Sequence, residues 1–255
     1  MEPSSTDGTV YLVTGANRGL GRGLVEQLLR RESTTVVACV RSVATSQASF
    51  QGIELGTNSR LVVVQLDCAS ASDPQEAVQK LQSVHSITHI DVVIANAGIA
   101  NDHHPASSTQ LDQLEGHMMT NAYSILLLFQ ATKPLLQKSI GAPKFVYIGA
   151  RLGTISDMDR LGKAPLAAYS LSKLAGNWLV RKLHFENEWL IAFIVDPGYV
   201  QTDMGNQGAK MLGRQQAETP IEDSARGILS RVDDATKGSG SGQFLLWKDG
   251  SPVAW

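Results

Sequence analysis

The sequence predicts an α/β fold in which one doubly wound parallel sheet of about seven strands is flanked by helices on both faces. Three observations carry this expectation. Short runs rich in Val, Ile and Leu alternate with longer segments of helical period along the chain. Most of those runs are continuously apolar rather than alternating, as strands covered on both faces have to be. A glycine-rich turn, Gly15 to Gly21, joins the first run to the first helical segment. That is where a parallel sheet brings a helix N-terminus to the ends of its strands.

The expected strands are Thr9 to Thr14, Thr34 to Val40, Leu61 to Asp67, Ile90 to Asn96, Lys144 to Gly149, Leu190 to Val195 and Gln243 to Trp247, each short and rich in β-branched residues or leucine. Between them the apolar spacing turns helical over Leu20 to Arg31, Pro74 to Val84, Thr109 to Ser139, Leu166 to Glu188 and Ile221 to Val232. For the third of these, Ser108 followed by Leu111, Leu114 and Met118 predicts a capped, amphipathic start, and Pro134 predicts a kink or an early end. No repeat, low-complexity tract or change of composition interrupts the alternation, so residues 1–255 are expected to form a single domain. Gly198 to Thr219 departs from the pattern, with little sustained apolar period. So long a connection is expected to be a mobile flap over a substrate.

Composition narrows the function classes. With 43% hydrophobic and 18% charged residues the chain is an ordinary globular one, far from disordered composition. A formal charge of −2 supplies no cationic field for nucleic acid or an anionic membrane, so small molecules are the expected partners. Two cysteines, Cys39 and Cys68, make no disulfide framework and fit a reducing compartment. Met1 to Gly8 is polar, lacks the basic and apolar regions of a secretory signal, and reads as a frayed start. The longest apolar run within a helical segment, Ile125 to Phe129, is far short of the roughly 20 residues a bilayer takes. A soluble, cytoplasmic protein is expected.

The glycine turn reads Thr14-Gly15-Ala16-Asn17-Arg18-Gly19-Leu20-Gly21, spaced GxxxGxG. Glycines there permit a sharp bend, close backbone approach to a pyrophosphate and close helix-on-strand packing, while the helix start offers unpaired N–H groups to the anion. The expected ligand is a dinucleotide. At the end of the second strand of such folds, a carboxylate grips the adenosine ribose diol of NAD, whereas arginine accommodates the 2′-phosphate of NADP. Here the stretch is Ala38-Cys39-Val40-Arg41-Ser42, without a carboxylate. Arg41, with Arg18 from the glycine turn, can form a cationic clamp of the bidentate kind phosphate favours, so NADPH/NADP is the expected cofactor.

Tyr169 and Lys173 stand four residues apart in a helical segment and so share one face. A phenol can give its proton to a developing alkoxide, and a neighbouring ammonium favours the phenolate left behind. Asn96-Ala97-Gly98 closes the fourth strand, Asn121 sits in the long middle helix, Tyr169-Ser170-Leu171-Ser172-Lys173 opens the next, and Asp196-Pro197-Gly198 with Thr202 follows the sixth strand. With these motifs in order, the chain resembles the short-chain dehydrogenase/reductase family over essentially its whole length.

The resemblance implies a Rossmann-type fold with Tyr169 as proton donor, Lys173 also holding the nicotinamide ribose, and Asn121 holding a water that links the lysine to solvent. It implies that Gly15, Asn17, Arg18, Gly19, Leu20 and Gly21 seat the pyrophosphate and that Asp67 and Cys68 lie against the adenine. Asn96, Ala97 and Gly98 would line the cofactor site, and Pro197, Gly198, Val200 and Thr202 would wrap the nicotinamide end. More narrowly, Gly15-Ala16-Asn17-Arg18-Gly19, Arg151-Leu152-Gly153-Thr154-Ile155-Ser156 and the ending from Gly242-Gln243-Phe244 to Trp255 resemble sniffer-type carbonyl reductases and the fungal norsolorinic acid ketoreductase-like branch. That implies reduction of a small-molecule ketone or aldehyde, with polyketide metabolism as one setting.

One family residue is missing. The serine that hydrogen-bonds the substrate carbonyl falls at Ala150 in the run Phe145-Val146-Tyr147-Ile148-Gly149-Ala150-Arg151-Leu152-Gly153, and alanine has no side-chain donor. Three explanations are open: an engineered serine-to-alanine variant made to trap a complex, a natural enzyme with another donor, or a non-redox protein such as a nucleotide-binding sensor or cofactor-independent enzyme. Ser156, thirteen residues before Tyr169, is the candidate substitute donor, although Gly153 and the strand end align better with Ala150.

The remaining candidates define regions rather than chemistry. His103 and His104 have no metal-ligand spacing with the cysteines and read as a solvated loop pair, so no metal is expected. Met204, Met211 and Leu212 could cover an apolar substrate. Leu126 to Leu128 and the apolar side of Leu166 to Leu183 offer a surface for a homodimer or homotetramer, or else pack within the subunit.

Overall fold

The computed structural model describes residues 8–255; of the start read as frayed, residues 1–7 lie outside the described residues. Its strands are β1 (Thr9–Thr14), β2 (Thr34–Val40), β3 (Arg60–Gln65), β4 (Val92–Ala95), β5 (Lys144–Ile148), β6 (Ile191–Asp196) and β7 (Phe244–Leu246). All are parallel, in the order β3-β2-β1-β4-β5-β6-β7. The expected doubly wound α/β sheet is present, and strand ends lie no more than two residues from those read in the sequence. Helices α1 (Gly19–Leu29), α2 (Val43–Ser46), α3 (Asp73–Ser83), α4 (Leu111–Met118), α5 (Ser124–Leu136), α6 (Met158–Leu161), α7 (Ala167–Glu186), α8 (Asp203–Met211) and α9 (Ile221–Asp234) complete the described secondary structure, with short 3-10 and π turns.

The two-residue period of each strand divides its side chains between two cores. Val10 and Leu12 of β1 pack with Leu81 of α3, Leu128 of α5 and Val180 of α7. Tyr11 and Val13 turn to the other face, with Leu24 and Leu28 of α1 and Ile228 of α9. Both faces are therefore covered, which explains the continuous apolar runs. Chain order reverses between β1 and β4, and a sheet that reverses in this way opens a crevice at the carboxyl ends of those strands.

Three local expectations are corrected. The single helix read from Thr109 to Ser139 is α4, a π-helical turn over Met119–Tyr123, and α5. Contacts outside the helix hold that turn: the Asn121 amide brackets the Ile99 backbone, and the Asn121 carbonyl accepts the Tyr147 hydroxyl. Ser108 is no cap, because its amide and that of Thr109 both bond to the Pro105 carbonyl in a preceding turn, and extended Gln110 leads into α4. Pro134 lies inside α5, which ends soon after it, at Leu136.

The third correction concerns the segment after β6. It carries α8, whose start is capped by Thr202, with the Gly205 amide donating to Thr202 Oγ1 at 3.1 Å. The base of the excursion is closed by the Gln201 amide to the Thr219 carbonyl and the Thr219 amide to the Tyr199 carbonyl, both 2.8 Å. A short capped helix with an acidic first turn needs little apolar period of its own.

Candidate active site

The glycine turn shapes one wall of the crevice. Gly15 has φ +64°, a conformation that side chains strain, and a Cβ there would stand 3.0 Å from the Ala97 Cα. A Cβ on Gly21 would collide with the Gly15 carbonyl oxygen. The turn thus closes on itself, and the first amides of α1, from Gly19, buried Leu20 and Gly21, have no intrahelical acceptor. Thr14 Oγ1 staples the neighbouring strand end, accepting the Asn96 and Ala97 amides at 3.0 Å each, while Asn96 Nδ2 donates to the Thr14 carbonyl at 2.8 Å. Asn17 sits partly exposed in the turn.

Arg41 is exposed at the carboxyl end of β2, and the next residue, Ser42, caps α2. Arg18 is paired with a carboxylate of α8. Its Nη1 pairs with Asp203 Oδ2 at 2.9 Å, linking the glycine turn to α8, with both side chains largely in solvent. Asp67 Oδ1 accepts the Ala69 amide at 2.9 Å, so the carboxylate shapes the turn after β3. Burial pushes the adjacent Cys68 thiol up to about 12, which favours the protonated thiol. Cys39 and Cys68 are both free.

Across the crevice α7 presents Tyr169 and Lys173. Lys173 is buried, its Nζ donating to the Ile148 carbonyl at 2.8 Å and standing 5.8 Å from the Tyr169 ring centre. Burial lowers Lys173 to about 7, opposed by the Asp196 carboxylate. The Tyr169 phenol is pushed up, first by burial and then by the same carboxylate. Asp196, at the end of β6, is itself raised by burial, although it accepts the Gly198 amide at 2.7 Å and the Arg151 amide at 2.8 Å.

Asn121 is fully buried in the π turn. Its Oδ1 accepts the Ile99 amide at 2.8 Å, and its Nδ2 donates to the Ile99 carbonyl and to Ser172 Oγ, both at 2.9 Å. The Ser172 hydroxyl passes on to the Tyr169 carbonyl at 2.7 Å. Gly98 fits against this cluster: a Cβ there would stand 3.1 Å from Asn121 Oδ1 and 3.5 Å from Lys173 Nζ.

Ala150 lies two residues beyond the end of β5, in extended conformation, immediately before the 3-10 turn Arg151–Gly153. It lies between Ile148, which binds Lys173 Nζ, and Gly153, whose Cβ position would meet the Lys173 backbone at 2.7 Å. Ser156 is exposed on the following turn, its amide donating to the Trp255 carbonyl. Pro197 is tied by Ser224 Oγ to its carbonyl, Val200 is buried, and the Thr202 methyl lies 3.1 Å from the Cβ position of Gly19. The loop after Gly98 reaches α7 through the Ala167 amide, which donates to the His104 carbonyl at 3.2 Å.

That loop corrects the solvated histidine pair. His104 is exposed, but its Nδ1 meets buried Asp102 at 2.6 Å, and His103 Nε2 is buried without a partner among the described residues. No group of three or more potential metal ligands occurs among the described residues. Sequence reasoning also passed over Tyr147, Ser172 and Asp196 as side chains with contacts in this cluster. Tyr147 read as a strand residue and Asp196 as the head of the turn motif after the sixth strand, and only strand pairing brings them beside Lys173.

A parallel sheet that reverses above a glycine cradle is the architecture of Rossmann-type nucleotide-dependent enzymes. A family model described as short chain dehydrogenase matches residues 9–213, and the chain belongs to that family. Norsolorinic acid ketoreductase from Dothistroma septosporum is 54% identical over 248 residues, 97% of this chain and 92% of that protein. Its counterpart from Aspergillus parasiticus is 52% identical over 247 residues, with 97% and 91% covered. Among solved structures, an NADPH-bound carbonyl reductase from chicken fatty liver superposes with a TM-score of 0.81 at 26% identity, covering 98% of this chain and 100% of that one. Carbonyl reductase Sniffer of D. melanogaster also gives 0.81, at 22% identity with 97% and 99% covered, a likeness of fold. The chain is an oxidoreductase related to ketoreductases, and none of these relatives supports the non-redox alternative. No helix among the described residues is long and apolar enough to cross a membrane.

Proposed function

We propose that the protein is an NADPH-dependent ketoreductase whose substrate is an aromatic polyketide ketone of the norsolorinic acid kind. The observation that carries this reading is the placement of Tyr169 and Lys173 on one face of α7, at the same crevice as the glycine cradle. The high identity to norsolorinic acid ketoreductases supports the substrate class.

The residues present fit NADPH. Gly15 and Gly21 leave a cradle that a Cβ would fill, and the end of β2 carries Arg41 with no carboxylate beside it. When bound, the cofactor supplies the hydride. Gly15, Asn17, Gly19, Leu20 and Gly21 bind the pyrophosphate, Arg41 and Arg18 the 2′-phosphate, and Asp67 and Cys68 flank the adenine. Asn96, Ala97 and Gly98 line the crevice floor, with Pro197, Gly198, Val200 and Thr202 around the nicotinamide end. Tyr169 gives its hydroxyl proton to the carbonyl oxygen. The Lys173 ammonium holds the ribose and stabilises the phenolate, and Asn121 supports the water that links it to solvent. Ala150 leaves the carbonyl without the family's serine donor.

The whole chain acts as one domain, with residues 198–219 as the substrate flap. Exposed Met204, Met211 and Leu212 on and after α8 supply the apolar cover. A homodimer would use the open groove of about 540 Å³ lined by Leu126, Leu171 and Trp178. Function is tested by following nicotinamide absorbance while a panel of aryl ketones, norsolorinic acid included, is offered with NADPH or NADH. NADPH oxidation matched by alcohol formation is expected. Binding of NADPH without oxidation across the panel would overturn the reading, and equal rates with NADH would remove the Arg41 argument.

A further inference from the structure

We propose that Tyr147 is a positioning residue of the reductase site, its ring face supporting the Lys173 ammonium while its hydroxyl fixes the main-chain carbonyl of Asn121. The inference rests on the roles given to Lys173 and Asn121 above. Tyr147 is fully buried in the middle of the sheet, on the face that α5 and α7 cover. Lys173 Nζ stands over its ring, 4.7 Å from the centre, inside the distance at which a cation is drawn to the negative face of an aromatic ring. Its hydroxyl donates to the Asn121 carbonyl at 3.1 Å. One side chain thus touches both residues, and it does so from the strand beneath them.

Core packing alone does not demand this arrangement. Two residues earlier on the same face of β5, Phe145 is equally buried with no hydroxyl to place. The phenol also needs room made for it on α7: a Cβ on Gly176 would stand 2.6 Å from the Tyr147 hydroxyl and 2.7 Å from its ring carbons. The groups facing Lys173 are Tyr169 on its own helix, Tyr147 on β5, and Asp196 on β6, with Arg151 beyond, its amide on Asp196 and its guanidinium on Asp157. Burial lowers Lys173 to about 7. The ring face works against burial in the same direction as the Asp196 carboxylate, keeping more of the amine charged at neutral pH.

The test reads Lys173 directly in the free protein, through the pH titration of its 13Cε resonance in lysine-labelled samples, assigned by its loss in Lys173→Met. Tyr147→Phe keeps the ring and is expected to leave the Lys173 midpoint in place. Phenylalanines carrying one, two and three ring fluorines at position 147 keep the shape but drain the negative face. They are expected to lower the midpoint stepwise, by about one pH unit in total. Tyr147→Phe should also lower the turnover number several-fold with the KM for NADPH unchanged, through the freed Asn121 carbonyl. A midpoint that ignores fluorination would overturn the proposal, as would a shift in Tyr147→Phe as large as that of the trifluorinated ring. Undiminished turnover in Lys173→Met would instead sink the proposed function and leave the ring titration to be read on its own.

Discussion

The two walls of the crevice are built on different principles. On the side of β1, α1 and β4, backbone does the work: a left-handed Gly15, a Gly21 pressed on the Gly15 carbonyl, and Thr14 stapling the ends of two strands. On the side of β5, α7 and β6, side chains do it. Lys173 and Asp196 are buried there as titrating groups, each shifted by that burial, with Tyr169 and Tyr147 beside them. A backbone cradle tolerates little substitution and carries one ligand chemistry. A cluster of buried titratable groups can be retuned one residue at a time, so the two walls should respond to mutation separately.

The largest expected effect separates them most cleanly. Tyr169→Phe removes the proposed proton donor and leaves the ring, so the turnover number should fall about 10²–10⁴-fold. The Kd for NADPH, measured by fluorescence titration, should stay within a factor of about two to three, because the cradle is untouched. Carbonyl reduction at an undiminished rate in the Phe variant would assign proton donation to another group.

Ala150 is the exception on that second wall, since under the proposed function it places a methyl where the family resemblance expects a donor. Ala150→Ser restores one, and a single such donor is typically worth about 10²–10³ in rate. The gain is to be measured with one ketone at saturating NADPH. Ser156→Ala should change the rate little, because Ser156 is exposed and its backbone is engaged with the C-terminal Trp255. A harmful Ser156→Ala together with a silent Ala150→Ser would make Ser156 the working donor and identify Ala150 as a native feature of the site.

How much of this was legible in the sequence follows the same division. Strand runs, glycine spacing and the Tyr169 to Lys173 interval are local patterns, and the structure brings all three to one crevice. The partners of Lys173 were not legible. Asp196 was seen only as the head of a turn motif and Tyr147 only as a strand residue, since their contacts depend on β5 and β6 lying side by side under α7. The π turn at Asn121 was missed because periodicity cannot register one extra residue when the helix continues on both sides. Helix α8 was missed for the opposite reason, as its stability comes from the Thr202 cap and the closed base rather than from an apolar stripe.

The first wall is probed by Arg41→Asp. Loss of a charge-assisted contact and gain of a like charge should weaken NADPH binding by roughly 10-fold to 100-fold. NADH, lacking the 2′-phosphate, should be weakened far less. Equal weakening of both cofactors in calorimetric titration would show that Arg41 acts on the shared part of the dinucleotide or on the fold.

The smallest effect is expected where the glycine turn meets α8. Arg18 and Asp203 form an ion pair whose side chains are 65% and 81% exposed, so solvent screens it heavily. Asp203→Asn should therefore change the thermal midpoint of the free protein by no more than a degree or so, in keeping with the small worth of exposed pairs. The consequence for binding has the opposite sign to that of Arg41→Asp. Removing the carboxylate frees the Arg18 guanidinium and takes a negative charge away from the mouth of the proposed phosphate site, so NADPH affinity should rise by a factor of about two to five at low salt and revert as ionic strength increases. Hydrogen exchange at the amides of α8 gives an independent readout. Without the tether to the glycine turn, α8 should exchange faster in the free protein and slow again when NADPH and the alcohol product are bound together. Unchanged affinity with unchanged exchange would mean that the pair links nothing, and that the glycine turn and α8 are coupled only through the Thr202 contact with Gly19.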